Sequence, residues 1–232
     1  MKTVIKAAFF DLDGTMLDRD ASVKQFIVKQ YDRLEKFLSP ISKRTYCERF
    51  IELDNHGYVW KDKVYTQLVE DYQIKGLTSE DLLEDYLTYY FKEDCLPFPR
   101  LVEMLEQLKQ NHLKLAIISN GNGRFQMDNI LSLGIKSYFE VILISEWEGM
   151  KKPDQQIFQR AMMKLNMTPK ECIFIGDHPK NDIIAAKQAG METVWKRNDQ
   201  WNGAKTNFII DELIEIPQLI TNLNKKKEFS SF

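Results

Sequence analysis

Residues 4–15 read VIKAAFFDLDGT, and this stretch decides the fold. Residues 4–10 form a short apolar run that is typical of a buried strand. Two carboxylates, Asp11 and Asp13, follow the run directly, and a glycine comes after them. Because these carboxylates are two residues apart on a chain that leaves a strand, both side chains can point the same way. The stretch therefore predicts a buried strand that ends in an acidic turn.

The composition of the chain excludes several classes of protein. The 232 residues carry a formal net charge of −2, with 44% apolar and 12% aromatic residues, which supply a real core and exclude a disordered chain. The near-neutral charge argues against a nucleic-acid binder, and no apolar run is long enough to span a membrane. Cys47, Cys95 and Cys172 have no metal-ligand spacing and favour reduced thiols. We therefore expect a cytoplasmic protein.

The remainder of the chain shows two patterns. From about residue 20 to residue 94, apolar residues recur at helical spacing, which predicts about four helices and no strand. Thr78 opens the last of these helices with N-cap chemistry. After Pro97, apolar strands and helices alternate, which predicts a parallel sheet covered on both faces. The expected strands are 113–118, 141–144, 172–175, 193–195 and 208–210, and the expected helices are 100–111, 125–133, 155–165 and 182–189.

Polar residues cluster at the predicted strand ends, which is where ligands bind in open parallel sheets. The carboxylates there would repel one another unless a cation lay between them, and oxygen ligands suit Mg²⁺. Without a metal, such a site would repel an anionic substrate, so we expect phosphate binding to depend on the metal. The predicted metal-site residues are Asp11, Asp13, Asp177 and Asp182, and the predicted anion-binding groups are Ser119, Lys152 and the amides of Asn120 and Gly121.

Each of these elements has an ordinary structural explanation when it is taken alone. Asp-x-Asp is often only a turn at a strand end, Ser119 to Gly121 can be a plain loop, and Asp182 can serve the start of a helix. Four such elements in order, each at a strand end, favour a shared site.

The four motifs resemble those of the haloacid dehalogenase-like (HAD) superfamily of phosphohydrolases, in the subclass whose helical cap follows the first motif. The motifs are Asp11–Thr15, Ser119–Asn120, Lys152–Pro153 and Gly176–Asp182. The resemblance covers nearly the whole chain and implies an α/β fold: a doubly wound parallel-sheet (Rossmann-like) core with a small all-α helical cap domain. Residues 1–18 and 96–232 would form the core, and residues 19–95 would form the cap.

The resemblance also implies roles for individual residues. Asp11 would be the nucleophile that forms an aspartyl-phosphate, and Asp13 would be the general acid and base. Ser119 and Lys152 would stabilise the transferring phosphoryl group, although the adjacent Lys151 could replace Lys152 geometrically.

The same resemblance implies how metal and substrate are held. Asp11, Asp177 and the backbone carbonyl of Asp13 would bind Mg²⁺, and Asp182 would orient Lys152 or a metal-bound water. Leu12, Ser119, Asn120, Gly121 and Lys152 are the core residues predicted to bind substrate. His178 has no role in the motif, and we expect it to face solvent.

The predicted cap contains an unusual break between two helices at residues 54–61. In this subclass such a cap loop often faces the active site, so His56, Tyr58, Trp60 and Lys61 could contact the leaving group. Alternatively, Tyr58 and Trp60 pack in the core of the cap.

These observations predict a Mg²⁺-dependent phosphomonoester hydrolase that acts on a small phosphorylated metabolite. We expect a monomer or homodimer that binds neither nucleic acid nor membrane. The alternatives are a sugar-phosphate mutase on the same scaffold and a non-catalytic phosphate-binding or interaction protein. The presence of Asp13 argues against the dehalogenase branch, which needs no acid to protonate an alkoxide.

Overall fold

The computed structural model describes residues 4–229, and the chain divides into two compact units. The core unit comprises the chain up to Asp18 and from Pro97 onward, and the helical unit comprises Arg19–Leu96.

The core unit contains a six-stranded sheet in which every neighbouring pair of strands is parallel. Its strands are β1 (Ala7–Phe10), β2 (Lys114–Ser119), β3 (Val141–Ile144), β4 (Cys172–Gly176), β5 (Glu192–Lys196) and β6 (Phe208–Ile210). The strand order is β3-β2-β1-β4-β5-β6, which confirms the predicted doubly wound parallel sheet. The first strand begins at Ala7 rather than at residue 4, after the exposed Lys6 that interrupts the apolar run.

The register of β1 places the acidic turn in the middle of the sheet edge. Phe10 pairs with Ile117 of β2 on one side and with Ile175 of β4 on the other. Every residue of β1 is buried, as expected for a central strand with both faces covered. Because β1 lies between β2 and β4, the residues that follow these three strands meet at one carboxyl edge.

The helical unit consists of helices packed around aromatic side chains. Its helices are α1 (Arg19–Arg33), α2 (Glu35–Leu38), α3 (Lys43–Asp54), α4 (Lys61–Tyr72) and α5 (Ser79–Glu93), with a 3₁₀ turn at Asn55–Gly57. There is one helix more than the four or so predicted, because a single helical turn, α2, follows α1. The predicted start of α5 is confirmed, since Thr78 and Asp81 form a reciprocal capping box.

A buried glutamine, Gln30, forms hydrogen bonds to several side chains of this aromatic core. Gln30 is fully buried, and its Oε1 accepts hydrogen bonds from the hydroxyls of Tyr46 and Tyr65 at 3.2 and 2.9 Å. Its Nε2 donates to the carbonyl of Leu82 and to Asp85 at 3.0 and 2.9 Å. Each side-chain polar atom of Gln30 therefore has partners, so its burial carries no unsatisfied-group penalty.

Within residues 4–229, six further helices belong to the core unit: α6 (Leu101–Gln110), α7 (Gly123–Ser132), α8 (Ser145–Glu148), α9 (Gln155–Leu165), α10 (Ala185–Gln188) and α11 (Glu215–Phe229). On one face of the sheet, Phe9 of β1 lies in the same buried cluster as Phe158 of α9 and Phe174 of β4. The rings of Phe158 and Phe174 meet edge to face, with 5.2 Å between their centroids. Among residues 4–229, no helix is long and apolar enough to cross a membrane.

The helix predicted over 182–189 differs from the observed structure. A π-helical turn at Pro179–Ile184 precedes α10, so the helical conformation begins three residues earlier than predicted. The reason is a side-chain cap: His178 Nδ1 accepts hydrogen bonds from the amides of Lys180 and Asn181. The pattern of apolar residues could not reveal this cap, because histidine is an uncommon N-cap residue.

Candidate active site

A buried ion cluster occupies the carboxyl edge of the sheet. Asp11 follows β1, and its Oδ1 accepts a hydrogen bond from Lys152 Nζ at 2.6 Å. The same ammonium donates to Asp182 Oδ1 at 2.7 Å. All three side chains are nine-tenths or more buried, so the lysine compensates two carboxylates that water barely reaches. Burial alone would lower the pKa of Lys152, but the charges of Asp11 and Asp182 outweigh burial and hold that pKa above its ordinary value.

The structure distinguishes the two adjacent lysines. Lys152 is buried in the cluster, whereas Lys151 is exposed. The side chain of Asn120 holds the Lys152 backbone by two reciprocal hydrogen bonds of 2.9 Å, one to its carbonyl and one from its amide. Asn120 therefore positions Lys152 through its side chain, a role that the sequence did not suggest. The predicted substrate contact of Asn120 concerns its backbone amide and stays a prediction.

Three of the predicted metal-site carboxylates lie close together. Asp11, Asp177 and Asp182 each have an oxygen within 4.8 Å of the others, and all three residues are buried. Burial, together with the charges of Asp182 and Asp177, raises the pKa of Asp11, although Lys152 opposes that effect. Burial and the charge of Asp182 raise the pKa of Asp177 to about 7. Hard oxygen donors that lie buried and close together are chemically suited to a divalent cation such as Mg²⁺.

Two glycines allow these carboxylates to approach the backbone. Gly14 has φ +78°, and a Cβ built there would overlap the carboxylate of Asp177. A Cβ on Gly176 would lie 2.5 to 2.6 Å from the side-chain atoms of Asp182. The two glycines therefore leave space that the carboxylates of Asp177 and Asp182 occupy, which agrees with a compact oxygen-lined site.

Asp13 and Ser119 are joined by a residue that sequence analysis missed. Gln126 of α7 is buried, and its Nε2 donates to Asp13 Oδ2 at 2.5 Å and to Ser119 Oγ at 2.8 Å. A third, longer contact of 3.2 Å reaches the carbonyl of Asn120. A signal was present in the sequence, since Gln126 lies four residues before the apolar Ile130 and so falls on the inward face of α7.

Two further residues that sequence analysis missed hold Asp177. The indole Nε1 of Trp195 donates to the Asp177 carbonyl, and Nδ2 of Asn198 donates to Asp177 Oδ2, both at 2.6 Å. Asn198 lies just after β5, so its position at a strand end was a signal present in the sequence. His178 was expected to face solvent, but it is half-buried and its ring lies 4.4 Å from that of Trp201. His178 is turned away from solvent because its Nδ1 caps the following helical turn.

Some predicted substrate-binding groups are already engaged in the core unit. The Gly121 amide, predicted to donate to an anion, donates to Ser145 Oγ at 2.9 Å. Ser145 follows β3, which lies beside β2, so the two strand-end loops bond to each other. The side chain of Leu12 is fully buried, so only its backbone could touch a substrate. Asp13 is not among the clustered metal-site carboxylates, and its predicted ligand is its backbone carbonyl, which stays a prediction.

The remaining predicted residues belong to the helical unit. His56, Tyr58 and Trp60 are exposed, and Tyr58 is 63% exposed, so Tyr58 and Trp60 do not pack in the core of that unit. Lys61, the fourth residue proposed to contact the leaving group, is instead buried and bonds to Asp54. The predicted contacts of His56, Tyr58 and Trp60 with substrate stay predictions.

The buried carboxylate of Asp54 lies at the start of the largely exposed segment 55–60 and bonds to its backbone. Asp54 Oδ1 and Oδ2 each accept from Arg19 Nη2 at 2.8 Å, and Oδ2 also accepts from the Gly57 amide at 3.0 Å. Asn55 and His56 both have positive φ, and the following Gly57 does too. Burial would raise the pKa of Asp54, but Arg19 and Lys61 together lower it below its ordinary value.

A doubly wound parallel sheet with buried carboxylates and a lysine at its carboxyl edge defines the class as an α/β enzyme core. Comparison with known proteins agrees: a model of the haloacid dehalogenase-like hydrolases matches residues 8–196. The chain is 28% identical over 230 residues to glyceraldehyde 3-phosphate phosphatase from Pyrococcus furiosus, an alignment that covers 96% of this chain and 94% of that protein. The chain belongs to the haloacid dehalogenase-like hydrolases and is a phosphatase of that family.

Solved structures show the same fold. The crystal structure of a HAD phosphatase from Thermococcus onnurineus matches with a TM-score of 0.65 and 26% identity, covering 93% of this chain and 98% of that one. YfnB from Bacillus subtilis, solved bound to magnesium, matches with a TM-score of 0.72 and 21% identity over 94% of this chain and 100% of its own.

Proposed function

We propose that this phosphatase is a Mg²⁺-dependent phosphomonoester hydrolase that works through an aspartyl-phosphate on Asp11. The observation that carries the proposal is the buried cluster in which Lys152 bridges Asp11 and Asp182 while Asp177 lies beside them. A buried carboxylate of this kind needs a neighbouring positive charge to remain ionised and act as a nucleophile. Lys152 supplies one such charge.

The first half of the proposed reaction transfers the phosphoryl group to the enzyme. A carboxylate oxygen of Asp11 attacks phosphorus, and the bond between phosphorus and the leaving oxygen breaks. Asp13 gives its proton to that leaving oxygen, so an alcohol departs rather than an alkoxide. Ser119 and Lys152 donate hydrogen bonds to the phosphoryl oxygens while charge builds up on them.

The second half returns the enzyme to its starting state. Asp13, now ionised, takes a proton from a water molecule, and the resulting hydroxide attacks phosphorus. The bond between phosphorus and Asp11 breaks, which releases inorganic phosphate and restores the Asp11 carboxylate. Asp13 is protonated again, so protons balance over the cycle.

Asp11, Asp177 and Asp182 are the side chains that would hold or surround the metal, with Asp13 contributing its carbonyl. When bound, Mg²⁺ would neutralise the excess negative charge and polarise the phosphoryl group. With the three carboxylates ionised, Lys152 leaves two negative charges uncompensated, which matches one divalent cation. The same charge would repel a phosphate monoester from the metal-free site.

We propose a small phosphorylated metabolite as the substrate, with glyceraldehyde 3-phosphate as the first compound to test. The support is that relatives from Pyrococcus furiosus, Pyrococcus abyssi and Methanocaldococcus jannaschii carry the name glyceraldehyde 3-phosphate phosphatase. Contacts from His56, Tyr58 and Trp60 would select the leaving group. The cytoplasmic location and the monomeric or homodimeric state are predictions from the sequence and from the family.

Phosphate release from a panel of small phosphate esters, with and without Mg²⁺, tests the proposal. Asp11→Asn should lose turnover by at least about 10³-fold, because an amide cannot form the phosphoenzyme. Asp211→Asn is the matched control: its carboxylate is 67% exposed and pairs with Arg197 at the surface, so turnover should stay unchanged.

Three results would contradict parts of the proposal. Full turnover by Asp11→Asn would exclude Asp11 as the nucleophile. Undiminished phosphate release in the presence of a chelator would exclude the metal requirement. Isomerisation of a sugar phosphate without phosphate release would favour the mutase alternative.

A further inference from the structure

We infer that Gln126 is a positioning residue that sets the Asp13 carboxylate and the Ser119 hydroxyl in their donating orientations. The inference rests on the proposed function, because it assigns Gln126 to the proton transfer made by Asp13. It concerns the phosphoryl-transfer step, in which one residue must donate a proton and another a hydrogen bond.

The side-chain amide of Gln126 contacts both Asp13 and Ser119. The Gln126 amide nitrogen has two hydrogens, and its two shortest contacts are Asp13 Oδ2 at 2.5 Å and Ser119 Oγ at 2.8 Å. Gln126 is 3% exposed and Ser119 is 1% exposed, so water does not compete effectively for these contacts. One amide therefore ties together the proposed acid and the proposed phosphoryl-binding hydroxyl.

The orientation of this amide is itself fixed. Gln126 Oε1 accepts a hydrogen bond from Asn129 Nδ2 at 2.8 Å, and Asn129 is fully buried one turn further along α7. If the Gln126 amide were flipped, its NH₂ group would face the Asn129 donor and its oxygen would face the Asp13 carboxylate. Two NH₂ donors would then face each other, which is repulsive whether or not Asp13 carries a proton, so Asn129 keeps the Gln126 NH₂ group directed at the site.

Each contact has a chemical consequence. Since Ser119 Oγ accepts from Gln126, the hydroxyl hydrogen is left to be donated elsewhere, and a phosphoryl oxygen is the proposed acceptor. Since Asp13 Oδ2 accepts from Gln126, the transferable proton is directed to Oδ1, which can then face the leaving oxygen. The Gln126 amide thus determines which oxygen of Asp13 acts as the acid.

The experiment uses leaving groups of different basicity. An alkyl phosphate needs a proton on its leaving oxygen, whereas p-nitrophenyl phosphate releases a stable phenolate and needs none. The ratio kcat/KM reports the steps up to transfer onto Asp11, and so excludes the later attack by water. Gln126→Met keeps the side-chain length but removes the donor, and Gln126→Glu replaces the donor with a carboxylate.

We expect Gln126→Met to lower kcat/KM for an alkyl phosphate by about 10- to 100-fold, part of the contribution of a general acid. The same variant should lower kcat/KM for p-nitrophenyl phosphate far less. Gln126→Glu should show a larger loss on the alkyl phosphate than on p-nitrophenyl phosphate, because its carboxylate would accept the Asp13 proton and hold it away from the leaving oxygen. Equal losses on both esters in both variants would indicate packing alone and would overturn the inference.

Two reference variants separate this inference from the proposed function. Asp13→Asn should lower kcat/KM for the alkyl phosphate relative to p-nitrophenyl phosphate more than either Gln126 variant does. If Asp13→Asn lacks that selectivity, the proposed acid role fails and the inference fails with it. If Asp13→Asn shows the selectivity and both Gln126 variants lack it, only the inference is overturned. Ile130→Val, at a buried apolar position one turn further along the same face of α7, controls for packing and should leave kcat/KM for both esters nearly unchanged.

Discussion

Replacing Asp54 by asparagine should destabilise the helical unit strongly, because it removes the carboxylate that bonds to the buried ammonium of Lys61. Asp54 and Lys61 each have only 3% of their side chains exposed, while that of Arg19 is 16% exposed. In Asp54→Asn, the Lys61 ammonium would stay buried beside an uncharged amide. Arg19 reaches water, so most of the penalty should come from Lys61.

The burial of Asp54 and Lys61 sets the expected loss in the free energy of unfolding. Removing one partner of a buried ion pair costs about 3–5 kcal/mol, because a buried charge is left uncompensated. The amide introduced by Asp54→Asn would retain one acceptor for the Gly57 amide, so we expect the lower end, about 3 kcal/mol. Urea unfolding followed by circular dichroism measures the free energy of unfolding directly.

The pH dependence provides an independent check of the cause. The pKa of Asp54 is lowered in the folded protein, so its stabilising contribution is complete above its unfolded pKa, which is about 3.9. That contribution is lost as the pH falls through the lower, folded pKa. The difference in unfolding free energy between wild type and Asp54→Asn should therefore be constant near neutral pH and shrink below about pH 4.

A double variant and a surface control complete the test. Adding Lys61→Met to Asp54→Asn removes the uncompensated charge and should restore much of the lost stability. Asp71→Asn, which breaks a partly exposed pair with Arg49 in the same unit, should have a much smaller effect. A loss below about 1 kcal/mol for Asp54→Asn, or no recovery in the double variant, would refute the reasoning.

Three further predictions concern the site and the helices. Asn198→Ala removes the 2.6 Å hydrogen bond to Asp177 and should weaken Mg²⁺ binding, measured by calorimetry, by about 10- to 100-fold; unchanged affinity would exclude this role. Gly14→Ala places a methyl group against Asp177 at φ +78° and should cut kcat at least about tenfold, whereas retained kcat would show that the turn can adjust. Thr78→Ala removes the capping box of α5 and should cost about 1 kcal/mol in urea unfolding; a loss near zero would show that the cap is dispensable.

Much of the fold follows from local pattern in the sequence. Alternating apolar strands and helices after Pro97 predict the parallel sheet, and each predicted strand is present to within a few residues. Helical spacing likewise predicts the α-helical composition of residues 20–94, apart from the extra turn of α2. These features depend on periodicity within about 5–15 residues, which is the range over which a sequence reports its secondary structure reliably.

The motif residues are predicted for a related reason. Asp11, Ser119 and Asp177 each lie at the end of a strand, and parallel strands bring their carboxyl ends to one edge whatever the details of packing. Geometry inferred from the sequence could not show which of Lys151 and Lys152 lies at the site. The directions of two adjacent side chains in a loop are fixed only when the loop folds. In the folded chain Lys152 is buried against Asp11, 141 residues away in sequence.

Local pattern therefore determined the alternation of elements and the set of chemical groups at the sheet edge. Only the tertiary structure decided which polar side chains hold those groups: Gln126 on Asp13, Asn198 on Asp177, Asn120 on Lys152 and Asp54 on Lys61. The physical reason is that a buried polar group must find a hydrogen-bond partner, and that partner is chosen by packing in three dimensions. Gln126 and Asp13 are 113 residues apart, a separation across which no periodicity in the sequence extends.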